Sequence, residues 1–288
     1  MDTSLRQRRQ QVLVGLAVRL LLFVGFYTLF VLTAITAHRR VAAAQCFRLE
    51  PALCRVLAKP AWMPASEIEA IRRATGLLDR SLPLYEPGLT ERLGEAHAAS
   101  PWVKRVREVG LFHPNRAVVA LELRKPLAGV LMNGRDIVLV DEEGVRLPGL
   151  HRRPPKDLGY PLRRIDGVGG APPAAGVVWS AAVKEGAAVA GELLILPPDL
   201  AGALPIVSID VSAVGRGGPV LLTTTSGAVI EWGRSRSHEF GALGPTLAEK
   251  VRKLERTLVV HPSLAGVHRV KLQFPDLVVE QTVRPGGI

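Results

Sequence analysis

Seven histidines are the first place to look for metal or acid–base chemistry in this 288-residue chain. Their spacing argues against both uses. His38, His97, His113, His151, His238, His261 and His268 are scattered, and none forms an H-E-x-x-H or H-x-H pattern. Each reads as a surface or packing residue. The two cysteines, Cys46 and Cys54, lie eight positions apart with no metal-ligand pattern around them. They either close a small disulfide loop in an oxidising compartment or remain two thiols. Gly215-Arg216-Gly217-Gly218 lacks the G-K-[ST] ending of a phosphate loop, so it reads as a tight turn. Thr223-Thr224-Thr225-Ser226 supplies hydroxyls without a spaced base, and β-propensity accounts for it. Asp141-Glu142-Glu143 falls at an expected turn and reads as solvated charge. No catalytic set emerges. The expectation is a non-enzyme with no cofactor, no metal and no small-molecule substrate.

The chain is 48% hydrophobic and 5% aromatic, with a formal net charge of +11. A core must therefore be built mainly from Val, Leu, Ile and Ala. The positive balance raises the possibility of nucleic acid. The basic residues, however, interleave with acids along the chain, and no aromatic-basic RNA-binding motif is present. A nucleic-acid partner is not expected.

The elements that would position any site begin with a membrane anchor. Leu20–Ala37 holds eighteen residues without a charge. At about 1.5 Å of rise per residue, this run nearly spans a hydrocarbon core of about 30 Å. Extension back to Val12 gives ample length, with Arg19 placed at the entry interface where its stem can snorkel. Arg6, Arg8 and Arg9 precede the span, and His38, Arg39 and Arg40 follow it. The expected plan is a cytoplasmic tail over 1–11, a transmembrane helix over 12–37 and an extracytoplasmic remainder. A cleaved secretory signal is the competing reading, with Ala42, Ala43 and Ala44 as its small residues. The length of the run and the intervening Arg39-Arg40 favour the uncleaved anchor.

Beyond it, hydrophobic period and turn chemistry predict an α+β region. A short strand is expected near Arg55–Ala58. Helices follow over Ser66–Asp79, with Ser66 as N-cap, and from Gly88 or Leu89 to Ala98. Strands are expected over Val103–Val109 and Ala117–Leu123. Leu127–Leu131 and Ile137–Val140 flank the hairpin turn Asn133-Gly134. Residues 148–161 and 167–176 read as irregular loops. A helix over Val177–Leu196, a strand over Ile206–Val211 and a hairpin over Val220–Thr225 and Val229–Trp232 come next. The chain closes with a helix over Leu247–Val260 and strands over Val267–Phe274 and Leu277–Val283.

Several of these segments resemble the FtsQ/DivIB family of bacterial cell-division proteins. The likeness starts at Ser100-Pro101-Trp102-Val103-Lys104-Arg105-Val106. It continues through His113-Pro114-Asn115, the strand Val119–Leu123, Arg124-Lys125-Pro126-Leu127-Ala128 and Leu139-Val140-Asp141-Glu142-Glu143-Gly144. Glu249-Lys250-Val251-Arg252-Lys253-Leu254 is similar to the family's E-K-x-x-R-L helix, and Val270–Val279 to its closing hairpin. Lys271 stands where the family has aspartate and Leu277 where it has a hairpin glycine, the V-x-G opening is not visible near Arg55–Met63, and residues 148–200 look expanded.

The resemblance implies a POTRA-like β-α-α-β-β domain over 46–125. A mixed, mostly antiparallel β domain over 126–288 would follow it, carrying a C-terminal helix and hairpin. It implies a divisome scaffold in the inner membrane at the division site, recruiting FtsB- and FtsL-like single-span proteins for septum formation. Partner binding by strand addition would fall on Phe274, Leu277, Val278, Val279 and Glu280. On that expectation Val278→Pro leaves the fold intact and abolishes partner capture. The alternative is a POTRA-containing envelope assembly or secretion component that binds β-segments of clients.

Overall fold

The computed structural model describes residues 3–57, 60–74, 76, 81–155, 157–235 and 244–281. It is a mixed α+β protein with one long N-terminal helix and one large sheet. Helix α1 runs Thr3–Ala43. Its segment Val18–Val41 is long and apolar enough to cross a membrane. Helical structure continues past the expected end at Ala37, through Arg39 and Arg40, because nothing between Ala37 and Ala43 breaks a helix.

The rest comprises helices α2 (Ala65–Ala74), α3 (Leu89–Ala98), α4 (Ala181–Leu194), α5 (Pro198–Ala203) and α6 (Leu247–Val260). The strands are β1 (Arg48–Leu49), β2 (Cys54–Val56), β3 (Leu82–Pro83), β4 (Val103–Phe112), β5 (Arg116–Leu123), β6 (Ala128–Met132) and β7 (Asp136–Val140). They continue with β8 (Arg163–Asp166), β9 (Ile206–Asp210), β10 (Val220–Thr224), β11 (Val229–Gly233), β12 (Val267–Lys271) and β13 (Val278–Gln281). Two compact units divide the chain: residues 1–55, 76–95 and 108–119 in the first, and 56–75, 96–107 and 120–288 in the second. The domain boundary expected at residue 125 falls inside the second unit.

In the first unit β1 pairs with β3 in a short antiparallel ladder. Leu49, Leu84, Leu89, Leu93, Ala117 and Val119 are buried there. Along the chain, in segments drawn from both units, β2, α2, β3, α3, β4 and β5 follow one another, and three of the strands form a sheet in the order β2-β5-β4. The short strand β3 between the two helices was not foreseen, since two residues carry no periodic signal. Helix α2 begins at Ala65, so Ser66 lies inside it and is not its cap; the Glu67 N–H instead bonds the Pro64 carbonyl. The expected helix end at Leu78-Asp79, Ala58 of the expected strand, and Thr282 and Val283 of the last one lie outside the described residues.

In the second unit eight strands form one sheet in the order β13-β12-β11-β10-β9-β8-β6-β7. Four neighbouring pairs are antiparallel and three parallel. Helix α4 lines its inner face with Val183, Ala187, Ala190 and Leu193, spaced to fall on one side of a helix. Gly186 lets it approach the sheet: a Cβ there would meet Val211 Cγ1 at 2.9 Å and Ile165 Cδ1 at 3.1 Å. Helix α6 matches its expected limits, and Leu254 is fully buried with Leu247, Val251 and Leu258 against the core.

Lys250 also turns inward on α6. It is 1% exposed, donates to the Arg234 carbonyl at 2.9 Å, sits 3.5 Å from Glu192 and lies over the Trp232 ring. Burial pushes its amine down in pKa, and the Glu192 carboxylate partly offsets that. Helix α6 starts at a capping box, with Thr246 Oγ1 accepting from the Glu249 N–H and Glu249 accepting from the Thr246 N–H. Thr246→Ala is expected to cost about 1 kcal/mol. Chemical denaturation should read this as a lower midpoint at unchanged slope.

Candidate partner-docking edge of the large sheet

Strand β13 is the last strand of the sheet, and the described residues place no strand beyond it. The opposite edge differs. There the segment 145–151 covers β7: the Ile137 N–H bonds the His151 carbonyl at 2.7 Å, the His151 N–H bonds the Ile137 carbonyl at 2.9 Å, and the Leu147 N–H bonds the Leu139 carbonyl at 2.8 Å. An open edge is a row of backbone donors and acceptors ready for another strand.

Register decides which residues present those groups. The Leu272 N–H bonds the Glu231 carbonyl of β11. Successive residues of a strand direct their backbone groups to alternate sides, so Lys271 and Arg269 face β13. Lys271 pairs with Val278, Arg269 with Glu280 and Val270 with Val279. Val278 and Glu280 therefore spend their N–H and C=O groups on β12, while Val279 directs its own outward. Val278→Pro would break the ladder that holds β13, contrary to the expectation drawn from sequence. The position at which proline removes an outward donor alone is Val279.

The expected partner residues fall into three groups. Phe274 and Val278 are exposed, at 47% and 38%. Leu277 and Val279 pack partly against the core. Glu280 lies 2.6 Å from Lys271, which holds its carboxyl below the ordinary pKa, so its side chain is engaged across the strand pair. Lys253 of α6, which sequence reasoning left as a generic basic position, fixes the turn ahead of β13 by donating to the Phe274 carbonyl and, at 3.4 Å, to that of Leu272. Glu231, buried on β11, accepts from Arg269 at 2.9 Å and Gln273 at 2.8 Å and so sets the hairpin onto the sheet. Its place in the run Val229–Trp232 is visible in sequence, but its partners lie some 40 residues away. Arg252, Lys253 and Arg256 line an adjoining cleft with Gln273 and Pro275.

The other chemistry-bearing residues do not assemble. No three His, Cys, Asp or Glu side chains gather as metal ligands among the described residues, and His238 lies outside them. No disulfide joins Cys46, which is exposed, to Cys54, which is buried. Gly217 adopts a left-handed turn and the Gly218 N–H bonds the Ala213 carbonyl at 2.9 Å, which makes 215–218 the tight turn expected.

The acidic turn requires a correction. Asp141 is 2% exposed and not solvated. Its Oδ1 accepts from the Glu143 and Val145 N–H groups at 2.9 Å each, and its Oδ2 from Arg124 at 2.5 Å. Gly144 closes this turn at φ 72°, and a Cβ there would lie 2.7 Å from the Lys184 Cα. The segments Glu122–Pro126 and Leu139–Gly144 thus meet in one charged cluster, in which Arg105 and Arg107 bind Glu122, and Lys104 binds Glu142 and Glu143. No family model matches the chain, and no curated protein matches it.

Proposed function

We propose that this protein is a non-enzymatic, membrane-anchored cell-division scaffold of the FtsQ/DivIB type. Its N-terminal helix would span the inner membrane, residues 46–125 would form a POTRA-like domain, and residues 126–288 would form the β domain that recruits other single-span division proteins. The observation that carries the reading is the unequal treatment of the two sheet edges. One is sealed by the chain's own segment 145–151, and β13 is left open where the family resemblance places partner binding. An added strand gains main-chain hydrogen bonds for affinity and alternate side-chain contacts for specificity. Val278 and Phe274 are the side chains available for the second role. Confinement of both partners to one membrane raises effective concentration, so a modest edge contact suffices. A fluorescent fusion at the N-terminus tests the division role. A midcell band in dividing cells is the expected result, and uniform envelope staining would count against it.

A further inference from the structure

Four rings cluster in the first unit, where the uncharged run of α1 ends. His38 follows Ala37, the last residue of the uncharged run, and Arg39 and Arg40 come next. The His38 ring lies 6.2 Å from Tyr85, and Tyr85 lies 5.5 Å from Phe47 and 5.6 Å from His113. The Tyr85 hydroxyl sits 3.3 Å from His113 Nδ1. This is a packed cluster, yet it is not a buried one. Tyr85 is 40% exposed and neighbouring Phe112 51%, in a chain with few aromatic residues. Arg39, Arg40 and Arg116 are exposed on the same unit.

We propose that Tyr85, packed against Phe47 and His113, and Phe112, which adjoins His113 in sequence, insert into the headgroup layer of the bilayer that α1 crosses. The inference rests on the membrane-anchor part of the function proposed above, and extends it to a lipid contact by the folded part of the first unit. Depth is the argument. A bilayer is about 30 Å thick in its hydrocarbon and about 40–45 Å with its interfaces, which leaves roughly 5–8 Å of headgroup layer on each side. His38 stands one residue, about 1.5 Å of helix rise, beyond Ala37, the last residue of the uncharged run. A ring 6.2 Å from it stands no farther than about 8 Å beyond Ala37, the outer limit of that layer. Tyrosine is suited to the place, with an apolar body and a polar tip, and exposed phenylalanine is costly in bulk water but not at an acyl boundary. The exposed arginines supply attraction to anionic headgroups. Simple packing of rings on one another explains the cluster but not the exposure of Tyr85 and Phe112.

Brominated-lipid quenching of the full chain in vesicles of mixed phosphatidylcholine and phosphatidylglycerol, with bromine near the carbonyl end of the acyl chain, tests this. Tyr85→Trp and Phe112→Trp are compared with Tyr27→Trp in the span, each read as emission added over the four native tryptophans. The expected result is loss of most of the added emission at all three positions relative to unbrominated vesicles of the same composition. Quenching of Tyr27→Trp alone would overturn the lipid contact and leave the anchor standing. Quenching at none of the three would overturn both.

Discussion

Val279→Pro is expected to abolish capture of the partner strand while β13 stays on its sheet. The outward N–H of Val279 is the central donor that the open edge offers, and proline removes it without touching the Val278 and Glu280 groups that bond β12. Val279 also packs partly against the core, so part of any loss could come from its side chain. Val279→Ala separates the two: it keeps the N–H, costs about 1 kcal/mol or somewhat more in stability, and should retain capture. Val278→Pro should do the reverse of a clean edge lesion, by releasing β13 from Lys271. Pull-down of membrane partners, with limited proteolysis to follow β13, reads all three. Equal capture by Val279→Pro and wild type would end the strand-addition mechanism.

Asp141→Ala should be the most destabilising single change in the charged cluster, at about 3–5 kcal/mol. It strands two backbone donors and removes one of the two acids on Arg124, at a carboxylate that itself has almost no water access. Glu142→Ala, at a side chain 66% exposed, should cost no more than about 0.5 kcal/mol. Thermal unfolding of the full chain in detergent measures both; equal effects would show that the buried carboxylate is not what holds the turn. The cluster also sets a pH dependence. Hydrogen bonding from Arg124 holds the Glu143 carboxyl below its ordinary pKa of about 4.3. Its contribution is therefore present above that value and lost as pH falls through the lowered one. Lys104 has the opposite sense: its pKa is raised by Glu142, so its share persists at neutral pH and fades only as strongly alkaline pH passes that raised value.

What sequence could reveal here followed from period and turn chemistry. Helix α6 has an uninterrupted apolar stripe and a capping box, and its limits were readable to the residue. The hairpin β6–β7 was readable because Asn133-Gly134 dictates its turn; both residues take positive φ. Strand β8 was not. Arg163-Arg164-Ile165-Asp166 buries one side chain, Ile165, while Arg163 reaches the Ile206 carbonyl and Arg164 pairs with Asp166. With β8 unseen, its parallel pairing to β6 and β9 was hidden too, so the sheet is less dominated by antiparallel pairs than expected. At the candidate edge, the five residues were legible as a strand with an aromatic before it. Which of them faces outward was not, since that depends on the Leu272–Glu231 hydrogen bond between distant segments. The same limit applies to Asp141, whose burial comes from Arg124 and the Gly144 turn and not from its own acidic neighbours.

Segment 145–151 gives the sheet a valence of one. Among the described residues β7 is sealed by the chain itself, so under the proposed strand addition the large sheet would offer one edge, alongside β13. A protein with two open edges could propagate strand to strand into a fibre. On the proposed mechanism this one would act as a terminator, with a one-to-one stoichiometry towards the strand it takes. Among the described residues, self-association along this sheet would take the form of a closed pair of β13 edges, and that pair would exclude an added partner strand.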